Sequence, residues 1–274
     1  MSKETASAAP NIHTQGGSIQ PDFDLQGRVV LITGASSGLG AHFAQVLAGL
    51  GAHVVCAARR VEKLADVVDV IHEEGGRAQA VAMDVNDEAS VKSAFDAAAD
   101  GLGCPQVVIA NAGMNMEGSA LDMAVEDFDA VMNVNLRGVF LTAREGARRM
   151  IGAGSKETGQ GRIILIASMA GLRPLRGLTP YSVSKAGVVM MAKGLALEWA
   201  RHGINVNAIC PGYIATDING DWLNSPAGQK MIAAFPRKAV MPDTALDGAL
   251  VWLSSAASRH TTGAVIQIDD LQGI

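Results

Sequence analysis

Tyr181 and Lys185 stand four positions apart in the stretch PYSVSKAG, inside a run with helical spacing. On a helix such a pair shares one face. An ammonium beside a phenol favours the phenolate and lowers the tyrosine pKa from its free value of about 10. A tyrosine tuned in that way gives a proton to a carbonyl oxygen, or takes one from an alcohol, near neutral pH. The plain alternative is a core tyrosine and a solvated lysine. Two further residues bear on the choice. Ser168 ends the apolar run GRIILIAS, 13 residues before Tyr181, where its hydroxyl could hold a substrate oxygen. Asn135, in NVNLRG, falls inside a helical run where asparagine is a mediocre helix former, which marks a polar network.

These residues need a scaffold, and the pattern from residue 28 onward supplies one. Short apolar, β-branched runs (RVVLIT, AHVVCAA, RAQAVAMDV, PQVVIANAG, GRIILIAS, INVNAI, GAVIQID) alternate with segments of helical spacing. Residues 126–151 and 180–202 read as the two longest helices. Seven strands with helices between nearly all of them imply an α/β domain: parallel strands, right-handed crossovers and helices on both faces. The expected architecture is a single doubly wound, Rossmann-type sheet over residues 23–274, preceded by a loose polar tail, 1–22. Ligands of such sheets bind at the carboxyl ends of the strands. Ser168 and Tyr181 both fall at that edge.

The turn after the first strand reads TGASSGLG. Gly34, Gly38 and Gly40 let the backbone turn sharply, so that with Ser36, Ser37 and Leu39 it can bring a pyrophosphate against helix N–H groups. The G-x-G-x-x-G spacing is absent, since position 43 is Phe43. The second strand ends in CAARR. An acid there would accept from a ribose 2′-hydroxyl, but Ala58 takes its place, followed by Arg59 and Arg60. Guanidinium pairs with phosphate, so NADP(H) is favoured over NAD(H). The alternative is two solvated charges at a helix start. Asp84 and Val85 end the third strand, where the carboxylate could meet an adenine amino group or cap the next helix. Asn111, Ala112 and Gly113 end the fourth strand, and their small size suits a flat ring lying against backbone.

Bulk composition excludes other classes. The net charge is −5, with 49% hydrophobic and 18% charged residues and no basic stripe, so no nucleic-acid partner is expected. No run is long and apolar enough for a membrane span, and the N-terminus has no apolar core of a secretory signal. Three widely spaced cysteines read as reduced thiols, and six histidines without paired spacing point to no metal site. A cytoplasmic location is expected.

The set TGASSGLG, NAG, Asn135, Ser168, Tyr181-x-x-x-Lys185 and PGYIAT (211–216), in this order, resembles the short-chain dehydrogenases/reductases of the single-domain, NADP(H)-preferring kind, such as 3-oxoacyl-acyl-carrier-protein and carbonyl reductases. The likeness spans residues 25 to 274. It implies that Tyr181 is the general acid/base, that Lys185 lowers its pKa and binds the nicotinamide ribose, and that Ser168 orients the carbonyl. Asn135 would hold a relay water. Pro211, Gly212, Ile214 and Thr216 would line the nicotinamide, and Arg59 would mark NADP preference. The likeness also implies a homotetramer, or a dimer, with the long helices forming one interface.

The chain departs from the family pattern in three places. The fourth-strand motif is IANAG, where many members carry a further Asn. Ser37 stands where some NADP-preferring members carry a basic residue. Asp270 and Leu271 stand where two glycines are common. The segment 217–240 reads as a lid or as a helical pair packed on the core, and in the loop MAGLRPLRGLT Arg173 and Arg176 could meet an anionic group such as an acyl-carrier phosphate or stand in solvent. The reaction expected is hydride transfer between NADP(H) and a ketone or secondary alcohol. Two alternatives are a non-catalytic NADP sensor on the same fold and an epimerase or dehydratase. The intact Ser–Tyr–Lys set argues against a sensor, and the chain has no room for the larger substrate domain an epimerase needs.

Overall fold

The computed structural model describes residues 22–215 and 220–273. β1 (Val29–Thr33) leads through a glycine turn into α1 (Gly38–Gly49), then β2 (His53–Ala58), α2 (Val61–Glu73), β3 (Arg77–Ala82), α3 (Glu88–Gly101) and β4 (Val107–Ala110). The second half runs α4 (Val125–Met132), α5 (Val139–Gly152), α6 (Ser155–Thr158), β5 (Gly161–Ile166), α7 (Thr179–Trp199) and β6 (Ile204–Pro211). It closes with α8 (Gly220–Asn224), α9 (Pro226–Ala234), α10 (Asp247–Ser254) and β7 (Val265–Ile268). The strands form one sheet in the order β3-β2-β1-β4-β5-β6-β7, and every pair is parallel. This is the doubly wound sheet that the alternation predicts. Its order reverses between β1 and β4, and the crevice at that point is where such sheets take ligands.

The continuous apolar strands follow from burial on both faces. Val29 and Leu31 of β1 pack with Val91 and Phe95 of α3, Leu141 of α5 and Val188 of α7. Val30 and Ile32, pointing the other way, pack with Phe43 of α1, Leu64 of α2 and Leu250 of α10. A third, small cluster of Leu223, Ile232 and Phe235 belongs to the α8–α9 pair, with Tyr213 against it. No helix of the described residues is long and apolar enough to cross a membrane. Cys56 and Cys210 are buried free thiols, and Cys104 is a half-buried one.

The structure refines the expected reading at three places. The helix expected over 126–151 is not continuous α-helix: residues Asn133–Gly138 form a π-helical segment between α4 and α5. Asp84 does not cap the following helix; Asp87 does, its Oδ1 accepting from the Ala89 N–H at 2.9 Å. Residue 22, placed in the tail, is tied down, because the Asp22 carbonyl accepts from the Ala257 N–H at 2.8 Å. The rest of the expected tail, residue 274, Thr216 and positions 217–219 of the lid lie outside the described residues.

The chain ends in a turn that the sequence does not explain. Asp270 and Leu271 adopt φ of 48° and 59°, the left-handed region that glycine occupies at little cost. The two residues stand where the resembling family favours glycine, the residue that suits this backbone. The turn is held by the Gln272 N–H on the Asp269 carbonyl at 2.7 Å and the Leu271 N–H on Asp269 Oδ1 at 3.1 Å.

Candidate active site

A single cleft of about 1140 Å³ runs along the carboxyl edge of the sheet and gathers residues from every strand end but β7. At one end lies the β1–α1 turn. Gly34 has φ 70° and Gly38 φ 53°, and a Cβ on Gly40 would strike the Gly34 carbonyl. Only glycine allows the helix to start that close to the strand. Ser37 is the N-cap of α1, yet its side chain makes no capping bond. It faces Arg60 instead, whose Nη2 donates to Ser36 Oγ at 2.9 Å and Ser37 Oγ at 2.8 Å. The first N–H groups of α1 are thus left to an outside acceptor, at the positive end of a helix dipole beside the cleft. That arrangement fits a pyrophosphate.

The two arginines after β2 are not equivalent. Arg60 is spent on the loop serines, while the Arg59 side chain has neither hydrogen bond nor ion pair among the described residues. Lys63, in the first turn of α2, joins them on the cleft wall. Sequence reading passed over Lys63, because a lysine inside an amphipathic helix carries no signal beyond its charge. Asp84 also borders the cleft, its Oδ1 taken by the Asn86 N–H at 2.9 Å, with Val85 beside it. Across the crevice, Asn111 is a fastener: its Nδ2 donates to the Thr33 carbonyl at 3.0 Å, and the Asn111 and Ala112 N–H groups both donate to Thr33 Oγ1 at 3.1 Å. Ala112 and Gly113 then expose a flat floor to the cleft.

Ser168, Tyr181 and Lys185 meet in the middle of the cleft, with Pro211, Gly212 and Ile214 on the facing wall. Ser168 follows β5 and starts a 3-10 turn, its Oγ accepting from the Ala170 N–H at 3.1 Å. The Lys185 ammonium lies 5.6 Å from the Tyr181 ring centroid and donates to the Ile166 carbonyl at 2.8 Å. The expected lowering of the tyrosine pKa does not result. Burial pushes Tyr181 up, with the neighbouring Ser168 hydroxyl opposing and the Tyr213 phenol adding to the rise. Burial likewise brings Lys185 down to about 8. Both groups have lost water, and desolvation favours the neutral form of each.

Asn135 is fully buried behind this group, in the π-helical segment. Its Oδ1 accepts from the Met114 N–H at 2.8 Å, and its Nδ2 donates to the Met114 carbonyl at 2.8 Å and to Ser184 Oγ at 3.1 Å. Ser184 in turn donates to the Tyr181 carbonyl at 2.7 Å. The asparagine thus ties the loop after β4 to the helix that carries Tyr181 and Lys185. Both amide hydrogens are used, and one lone pair of Oδ1 remains. A Cβ on Gly113 would sit 3.4 Å from that Oδ1 and 3.7 Å from Lys185 Nζ, so the glycine keeps the space between them open.

The other end of the cleft is bordered by Asn115, Glu117, Arg173, Tyr213, Trp222 and Phe235. Tyr213 stacks on Trp222 of the lid with centroids 6.2 Å apart and packs on Phe235 at 5.6 Å. The described part of the segment expected to act as a lid thus roofs the cleft with aromatic side chains.

Known proteins resemble this chain in sequence and fold. The family model described as short chain dehydrogenase matches residues 28–226. Glucose 1-dehydrogenase 2 of Bacillus subtilis is 33% identical over 248 residues, covering 90% of this chain and 95% of that one. The 3beta-hydroxysteroid dehydrogenase 1 of Eggerthella lenta is 36% identical over 251 residues, covering 90% and 94%. A gluconate 5-dehydrogenase from Burkholderia cenocepacia, solved in complex with NADP and tartrate, superposes with a TM-score of 0.85 at 33% identity over 91% of this chain and 96% of that one. The chain belongs to the short-chain dehydrogenase family.

Proposed function

We propose that the protein is an NADP(H)-dependent oxidoreductase that interconverts a secondary alcohol and a ketone. One observation carries the reading: a tyrosine, a serine and a buried lysine converge in a cleft whose far end offers an uncapped helix N-terminus and three cations. A bound nicotinamide supplies or accepts the hydride. The chain does the rest. Ser168 Oγ holds the carbonyl oxygen, and the Tyr181 hydroxyl gives it a proton as negative charge develops, or removes one from the alcohol in the other direction. Lys185 sits beside the tyrosine; charged, it stabilises the phenolate left behind. Asn135 fixes the backbone that aligns Tyr181, and with Lys185 it flanks the space beside Gly113 through which a proton can be resupplied. Arg59 and Lys63 would hold the 2′-phosphate, while Arg60 secures the loop serines. The relatives named above act, by their names, on a sugar, a steroid and a sugar acid, so family membership leaves the alcohol open.

Oligomerisation belongs to the same proposal. Val183, Met190 and Leu197 project from one side of α7 and are 47%, 66% and 86% exposed. We assign that stripe to contact with a second copy of the chain in a homotetramer.

The test is nicotinamide absorbance with NADPH and NADH side by side over a panel of ketones and secondary alcohols, with Tyr181→Phe as control. Turnover preferring NADPH and lost in the variant supports the reading. Cofactor binding without turnover of any compound would favour a sensor.

A further inference from the structure

The end of the cleft opposite the glycine turn holds a cation that has no ion-pair partner among the described residues. Arg173 lies five residues after Ser168, and its N–H closes the 3-10 turn on the Met169 carbonyl at 3.1 Å. Its side chain therefore starts one turn from the hydroxyl that would hold the reacting oxygen. It borders the cleft. No carboxylate of the described residues lies within ion-pair distance of it. Nη2 donates to the Gln272 carbonyl at 2.9 Å, and the Nε–H is buried without an acceptor. Leaving a charged donor half-satisfied is costly unless a ligand completes it. Glu117 borders the same end, but it is exposed and its Oε1 is met by the Asn115 amide at 3.4 Å. Arg176, the other arginine on this wall, is exposed and makes no such anchored contact.

The arginine is held in place by the strained turn at the end of the chain. Gln272 is 2% exposed. Its carbonyl takes Arg173, its Oε1 takes the Tyr213 N–H at 2.6 Å, and its Nε2 reaches the Ala239 carbonyl at 3.2 Å. One residue thereby fixes the guanidinium, the loop after β6 and the foot of the lid in one frame. The Tyr213 phenol feels both Arg173 and Glu117, which places its hydroxyl in the same neighbourhood.

We propose that Arg173 recognises a carboxylate on the substrate, that Gln272 positions it, and that the protein's alcohol is therefore a hydroxy acid whose reacting carbon lies at Ser168 and Tyr181. The inference rests on the oxidoreductase reading. A single planar guanidinium matches a monoanionic carboxylate in charge and shape.

The experiment compares three probes on one carbon skeleton, gluconate, glucitol and glucitol 6-phosphate, with NADP⁺ and the full chain. Wild type is expected to favour gluconate. In Arg173→Gln the ratio of kcat/KM for gluconate over glucitol falls about 10- to 100-fold, the weight of one charge-assisted hydrogen-bonded pair, and chiefly through KM. Arg173→Lys recovers part of the ratio, and Gln272→Ala lowers it by a smaller factor. An unchanged ratio in Arg173→Gln overturns the proposal, as does a larger fall in Arg176→Gln or a wild-type preference for the phosphate ester. Gluconate binding followed by intrinsic fluorescence, with Trp222 at the site, separates this proposal from the one beneath it. Binding that Arg173→Gln abolishes supports the subsite even if no alcohol is turned over. Failure of wild type to bind gluconate counts against it even if another alcohol reacts.

Discussion

Tyr181 carries a proton that burial makes harder to lose, and Lys185 carries one that burial makes easier to lose. Replacing Tyr181 by Phe removes the hydroxyl proposed to transfer that proton, so kcat is expected to fall about 10²- to 10⁴-fold with cofactor affinity kept, checked by steady-state rates and NADPH fluorescence. The lysine makes a separate prediction for the protein without cofactor. Held at about 8 against an ordinary 10.5, it binds its proton more weakly in the fold than in the unfolded chain. The stability it contributes is therefore lowest below pH 8 and grows as pH rises from about 8 to 10.5. Lys185→Met should melt higher than wild type near pH 7, and that advantage should shrink by about pH 9.5; a constant difference across the range would contradict the assigned shift. At the cofactor end, Arg59→Ala should raise KM for NADPH about 10-fold or more and leave KM for NADH nearly unchanged, because only the phosphate meets the guanidinium. The four catalytic candidates were legible as residue types at fixed spacing. The sense of the tyrosine shift was not, because it depends on how much water each group loses, and a one-dimensional spacing holds no measure of depth.

Elements were legible where one rule governs a whole segment. Seven apolar runs gave seven strands, since parallel strands covered on both faces need nothing but apolar, β-branched side chains. Caps were less so. In sequence Asp84 is a candidate cap, and Asp87, three residues on, is the one that backbone geometry selects. Asp87→Ala should cost about 1 kcal/mol in unfolding free energy, read from urea denaturation. The glycine turn was legible in its residues but not in its bonding: that Arg60 also secures Ser36 and Ser37 shows only in three dimensions. The break at 133–138 was invisible too. The π segment places Asn135 between Met114 and Ser184, contacts that no local pattern in NVNLRG announces.

On the scale of the whole molecule, contacts distant in sequence join the cleft. Gln272 meets Arg173 across 99 residues and Tyr213 across 59, which no periodicity encodes. The turn that delivers it holds two non-glycine residues in the left-handed region, each costing about 1 kcal/mol. Leu271 is 63% exposed, so Leu271→Gly loses little packing and should relieve that strain, raising the melting temperature by about 2 °C in a domain of this size. The exposed stripe on α7 makes a prediction of another kind. Leu197→Glu should shift the protein to a smaller species in size-exclusion chromatography while leaving its circular dichroism intact.

The π-helical segment implies a surplus. Each of its hydrogen-bonded rings spans one residue more than the α-helical ring, so the path from α4 to α5 can be covered with one residue fewer. A chain lacking Val134 has a simple route open to it: the segment closes up as ordinary helix, α4 and α5 keep their faces, and the Met114–Asn135–Ser184 linkage is lost. Such a deletion should yield a protein that still folds, somewhat less stable for the loss of the buried Asn135 bonds, and nearly inert toward alcohols, read by circular dichroism and steady-state rates.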